Sequence, residues 1–158
     1  ADCAAPVPGY VCIPATFTIS VGHGGLVDLG SGMDYELTGS FGQPGVNSRH
    51  TSNHFATSAF AGKLRILANL YFLTYQTAPS PKLRYNDISL EGGGLFDTDN
   101  NWRAPRHREH RIGISMDLGL VPQARYQALR RMMQLAGITG VTFVEGNHYH
   151  IREYGTSQ

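Results

Sequence analysis

The chain has 158 residues, of which 41% are hydrophobic and 16% charged, with 19 glycines; this is one domain with a core of its own, neither disordered nor repetitive. Thirteen basic residues against twelve acidic give a formal charge of +1, which leaves no net field that argues for DNA, RNA or an anionic membrane as a partner. The longest apolar run, Ile66 to Tyr75, contains Asn69 and is too short to cross a bilayer, so the expectation is a monomer with no transmembrane segment and no nucleic acid bound.

Cys3 and Cys12 are the two cysteines. Their close spacing suggests a small disulfide loop, with two unpaired cytosolic thiols as the alternative. An even cysteine count in a lysine-poor chain beginning Ala-Asp-Cys points to a mature exported protein that is secreted, periplasmic or on the cell surface. Residues 1–50 carry Pro, Gly and Ser around one β-rich run at 16–21 and a second at 35–38, a portion of strands and loops. His23 lies among glycines and reads as structural or exposed, while His50 and His54 read as capping or surface residues.

From Ser58 to Tyr75, Phe60, Leu64, Leu67 and Tyr71 recur at helical spacing, with Ile66, Leu70 and Leu73 widening the stripe; a well-buried helix is expected. Pro79 and Pro81 end it. Leu83 to Leu90 then alternates apolar with polar, as a half-exposed strand does, and Gly92-Gly93-Gly94 follows as a turn. Asp97-Thr-Asp99-Asn-Asn101 alternates oxygen ligands but lacks the glycine and distal glutamate of a calcium loop, so it reads as an Asx-rich turn. Trp102 either lines a cleft or plugs a small core.

Ile114 to Leu118 reads as a buried strand. Pro122 and Gly137 bracket a second helix with Tyr126, Leu129, Met132 or Met133 and Ala136 inward and its arginines in solvent. Val141 to Glu145 and His148 to Glu153 flank Gly146-Asn147, a two-residue hairpin signal. In that hairpin Glu145 opposes His148, and His150 shares their face, while Val144, Tyr149 and Ile151 point into a core. The sum is an α+β fold over residues 1–158, in which a small antiparallel sheet carries a zinc site and two helices pack on it.

Four of the seven histidines fall in two short stretches, His107 to His110 and His148 to His150, each with carboxylates nearby. Imidazole and carboxylate are the ligands of a catalytic Zn²⁺, which takes three from protein and leaves a fourth position for water. His110 and Asp117 are seven apart, which a straight strand would place on opposite faces; Gly113 can supply the bend that brings them together. Asp117 in an apolar strand needs a partner, either a metal or an arginine. His107 reads as a rim residue. Arg103, Arg106, Arg108 and Arg111 form either a solvated basic loop or a clamp for a substrate carboxylate. Glu145 and His148 can be a site pair or a plain cross-strand ion pair.

His110-x-x-Gly113-x-x-x-Asp117 followed by Glu145-x-x-His148-x-His150 resembles the zinc signature of D-Ala-D-Ala metallopeptidases, a superfamily that also includes murein endopeptidases, lysostaphin-type enzymes and the hedgehog signalling domain. The resemblance covers roughly residues 83–153. It departs at Arg108, where the family pattern has Ser, and at Ser115, where it often has Ala. The resemblance implies that His110 and Asp117 are zinc ligands and that the third is His148, as in members ending Glu-x-x-His, or His150, as in members ending His-x-His. The hairpin favours His150 and leaves His148 beside the turn to orient water or stabilise negative charge.

By the same resemblance, Glu145 is the general base, taking a proton from water activated by the metal and delivering it to the leaving amine. The implied enzyme is a zinc metallopeptidase of endopeptidase or D,D-carboxypeptidase type, and its partner is a peptide or peptidoglycan substrate of the bacterial cell wall. The alternative is a zinc-stabilised, non-catalytic module that binds a wall polymer or a protein. Glu145 favours the enzyme, because a structural zinc site closed by four protein ligands needs no base. A metal-free domain with coincidental histidines is the third reading.

Overall fold

A computed structural model of the chain describes residues 24–40, 42–43, 50–94 and 108–153, without the side chains at 108–109, 141–143 and 145. Cys3, Cys12, the run at 16–21, His23, the segment 97–101, Trp102, Arg103, Arg106 and His107 lie outside the described residues.

The described residues form an α+β fold of seven strands and two α-helices. Strands β1 (Leu26–Asp28) and β3 (Phe55–Thr57) pair antiparallel as a small separate sheet. A larger sheet has the order β2 (Tyr35–Leu37), β4 (Leu83–Tyr85), β5 (Ser115–Gly119), β7 (His148–Arg152), β6 (Val141–Glu145). It is mixed rather than antiparallel, because β2 runs parallel to β4. The chain between them passes through β3 and helix α1 (Ser58–Tyr75), and a crossover of that length returns a strand in parallel.

Helix α1 begins where Thr57 Oγ1 accepts the Phe60 N–H at 3.2 Å, which satisfies one donor of the first turn. Phe60, Ala61, Leu64, Leu67, Ala68 and Tyr71 are its buried face. Ile66 and Leu73 are about half exposed instead of widening that stripe; the two small alanines take the inward places beside the sheet. Helix α2 (Tyr126–Leu135) follows a 3₁₀ turn after Pro122, and its Leu129, Met132 and Met133 face the core. It closes at Gly137, where φ is +75° and the Ile138 N–H reaches back to the Met133 carbonyl, a Schellman ending. Arg125 does not stand wholly in solvent: it donates to Tyr71 Oη at 3.1 Å and covers the Tyr75 ring at 4.4 Å.

The period of two divides the large sheet cleanly. Tyr35, Leu83, Tyr85, Met116, Leu118, Tyr149 and Ile151 are buried together with the residues of both helices. Arg84 and Asn86, then Ser115, Asp117 and Gly119, then His148 and His150 occupy the other face by register. The hairpin forms as its sequence requires, with Glu145 paired to His148 and Phe143 to His150 around a positive-φ Gly146. Val144 points away from the site face but is 57% exposed rather than buried, since β6 is the edge strand and lies beyond the helices' cover.

Candidate metal centre

Two strands and one 3₁₀ turn bring the site together. Asp117 and His150 are direct cross-strand partners, which the alternation of β5 and the turn at Gly146 fix jointly. His110 comes from a short 3₁₀ turn, Arg108–Arg111, ahead of β5. The chain folds back at Gly113, whose φ is +68°. A Cβ there would meet Leu26 Cδ2 at 2.7 Å and the Ala56 backbone at 3.0 Å, so both the dihedral and the space require glycine. The Gly113 carbonyl accepts the Thr57 N–H at 3.0 Å, and the Arg111 carbonyl accepts that of Gly94 at 2.8 Å. This is the bend that the seven-residue spacing demands.

All three residues are buried, at 1%, 2% and 5% exposure for His110, Asp117 and His150. His150 Nδ1 lies 2.9 Å and His110 Nε2 3.3 Å from Asp117 Oδ1, and one donor atom from each residue falls within 4.8 Å of the other two. The two imidazoles meet edge to face with centroids 5.1 Å apart. His148 Nε2 stands further out, 3.6 Å from the same oxygen and with its side chain 24% exposed; its Nδ1 faces Asn147 Oδ1 at 3.0 Å. Burial works to raise the Asp117 pKa, but the hydrogen bonds from His110 and His150 and the charge of the nearby imidazoles outweigh it and hold the carboxyl well below the usual carboxylate range.

The Ile88 carbonyl settles the chemistry of His110. That oxygen lies 3.1 Å from Nδ1 and can only accept, so Nδ1 carries a proton and Nε2 is the ring atom turned toward Asp117. Two electron-rich atoms 3.3 Å apart repel unless positive charge lies between them, as a proton or a cation. Four-coordinate arms of about 2.0–2.1 Å place donor atoms roughly 3.3 Å apart; the His110 distance to Asp117 matches that value and the His150 distance is somewhat shorter. The group of His110, Asp117 and His150 can therefore hold a metal ion, with the Ile88 carbonyl orienting one ligand from behind.

A second layer of polar groups, absent from the sequence reading, fixes this arrangement. The Asn53 carbonyl accepts the N–H groups of Ile88 and Ser89 at 2.9 and 3.1 Å, which anchors the segment carrying the Ile88 carbonyl. Asn53 Nδ2 donates to Asp87 Oδ1, and Ser40 Oγ donates to Asn53 Oδ1. Asp117 bonds through its own backbone to both Asn86 and Asp87, at 2.7 and 2.9 Å, so two residues of one strand face one of the other as in a β-bulge. This bulge cuts short the strand expected to run to Leu90. Asp87 is 7% exposed; burial, then the neighbouring Asp117 charge, push its carboxyl up to about 6 against the opposing pull of His110 and Asn53.

His54, expected as a cap or surface residue, is 3% exposed and holds the Thr38 carbonyl through Nε2 at 2.8 Å. Burial lowers its pKa, so it is a neutral structural imidazole rather than a ligand. Of the four arginines expected as a clamp or a solvated loop, Arg111 is half-buried; the others lie outside the described side chains. The backbone of Glu145 pairs with that of His148. Among the described residues no helix is long and apolar enough to cross a membrane. Comparison with protein-family models and with curated proteins returns no match.

Proposed function

We propose that the chain is a zinc-dependent peptidase, with His110, Asp117 and His150 as the metal ligands, that cleaves an amide bond in the peptides of bacterial cell wall and works outside the cytoplasm. The observation that supports this reading best is the donor set: two imidazole nitrogens and one carboxylate oxygen, buried and converging, match in kind and number the three protein ligands of a catalytic zinc, whose fourth position goes to water. The alternative of a closed structural site needs a fourth protein ligand, and His148 is not part of the converging group.

Zinc, when bound, supplies Lewis acidity that polarises a carbonyl and lowers the pKa of water toward about 7. The chain's own groups do the rest. Asp117 and the two buried imidazoles exclude bulk solvent from below, where the Ile88 carbonyl keeps His110 in one tautomer. His148, its Nδ1–H held by Asn147, presents Nε2 to orient the attacking water and, once protonated, steadies the oxyanion. The Glu145 carboxylate takes the proton of that water and returns it to the leaving nitrogen.

The test is elemental analysis and turnover on a peptide and murein-fragment panel, using wild type, H110A and E145Q. About one zinc per chain is expected in wild type and E145Q and little in H110A, with turnover in E145Q reduced by about 10²- to 10⁴-fold. E145Q as active as wild type would remove the proposed base. A zinc-loaded wild type inert on every substrate would leave a zinc-stabilised binding module.

A further inference from the structure

One cross-strand row runs over the site face beside the candidate metal centre: Glu36 pairs with Arg84, Gly119 with His148, and His148 with Glu145. Arg84 joins the two halves, because Tyr85 opposes Leu118 and the next antiparallel pair is Arg84 with Gly119. The Arg84 side chain lies over that glycine: a Cβ at Gly119 would come within 3.0 Å of Arg84 Nε and 3.2 Å of Nη2. A larger residue at 119 would lift the guanidinium away from the sheet. With glycine, the Arg84 side chain packs over β5, between its own strand and the strand of His148.

A pocket of about 180 Å³ opens there, lined by Thr38, Arg84, Asn86, Gly119, Asn147 and His148. It is small beside the roughly 300–1,000 Å³ of ordinary ligand sites, so it takes one compact group. Among the described residues no carboxylate lines it; Glu36, the cross-strand neighbour of Arg84, lines the larger cleft on the other side. The row lies two residues along β5 from Asp117, about 7 Å at strand rise. That is close to one extended residue plus one hydrogen bond, about 6–7 Å. On the far side Arg84 also borders a longer cleft of about 430 Å³ that contains Lys82 and Pro122.

We propose that Arg84 anchors a substrate carboxylate, terminal or on a side chain, in this pocket beside the candidate metal centre. This rests on the peptidase reading, and it assigns to Arg84, rather than to arginines of the 103–111 stretch, the choice of substrate. A planar guanidinium packed against glycine has two parallel N–H donors to offer, the geometry a carboxylate takes in bidentate fashion. His148 marks the end of the pocket nearest the candidate metal ligands, which places the anchored group beside the bond to be cleaved.

The experiment is calorimetric titration of the zinc-loaded protein with N-acetylalanine of each hand and with the matching amides, for wild type, R84Q and R84K. Wild type is expected to bind one acid about 10- to 100-fold more tightly than its amide. R84Q should lose that preference while zinc content stays unchanged, and R84K should keep part of it as a point charge without the fork. No acid preference in wild type, a preference that persists in R84Q, or loss of zinc in R84Q would each overturn the assignment. N-acetylglutamic acid α-amide, run alongside, separates the sources: the acid whose affinity falls in R84Q identifies a terminal or a side-chain carboxylate.

Turnover measured on acid and amide peptides keeps the two readings apart. An Arg84-dependent acid preference with no hydrolysis of any peptide would remove the peptidase and keep the anchor. Equal hydrolysis of acids and amides, unchanged in R84Q, would remove the anchor and keep the peptidase.

Discussion

Asp87→Asn should stabilise the metal-free protein at neutral pH, and the structure gives the size of the effect. Asp87 is buried beside Asp117, and its carboxyl moves from an ordinary value of 3.8 to about 6. The two values are a little over two apart, and at about 1.36 kcal/mol for each the ionised side chain costs the fold about 3 kcal/mol once the pH is above both. Between 3.8 and 6 the unfolded chain has released this proton and the folded chain has kept it. Wild-type stability from this group therefore falls as pH rises through that window and is flat beyond it. Asparagine keeps an acceptor for Asn53 Nδ2 and has no charge to bury. The stability difference between D87N and wild type should grow from near zero at pH 4 to about 3 kcal/mol at pH 7, or roughly 6–12 °C in Tm for a domain of this size. Urea unfolding of chelator-treated protein at a series of pH values measures it. A difference that does not change with pH, or a variant less stable at pH 7, would refute the idea that burial and the Asp117 charge set the behaviour of Asp87. A bound cation should shrink the gain, since its field favours the ionised form.

Zinc added to chelated protein at about a hundredfold over Kd should contribute about 2.7 kcal/mol, a Tm rise of roughly 5–11 °C that H110A and H150A lose; scanning calorimetry with no rise in wild type would remove the metal site. Gly113→Ala, with its positive φ and its clash at the Ala56 backbone, should cost about 1–3 kcal/mol and weaken zinc binding by displacing His110. Unchanged unfolding and metal titration in that variant would show that the bend is not what delivers the ligand.

What the sequence disclosed was local. Helix α1 has the expected ends because Thr57 caps it and the prolines after Tyr75 bar its extension. The 145–148 pairing and the return at Gly113 depend on short turns whose residues announce them. The parallel partnership of β2 with β4 joins strands that α1 separates, and no local pattern encodes it. The same holds for Asn53, which reaches Asp87 from 34 residues away, and for the burial of His54 under the Thr38 carbonyl. Ile66 and Leu73 misled because α1 is apolar around much of its circumference, so composition alone could not choose the inward side. Arg84 was within reach: the alternation from Leu83 to Tyr85 places it on the polar face, but only the register with Gly119 shows that the same face carries the ligands.

The three ligands are unequally anchored. Asp117 and His150 are neighbours in one continuous sheet, although 33 residues apart in the chain. His110 belongs to a turn whose backbone is tied to the small sheet through Thr57 and to the Gly94 loop. An ion bound by all three would act as a cross-link between the turn and the sheet, much as a disulfide ties a loop to a sheet. Its release would free the turn while the strands stayed paired, so loss of metal would be a local loosening around His110 and not the first step of unfolding.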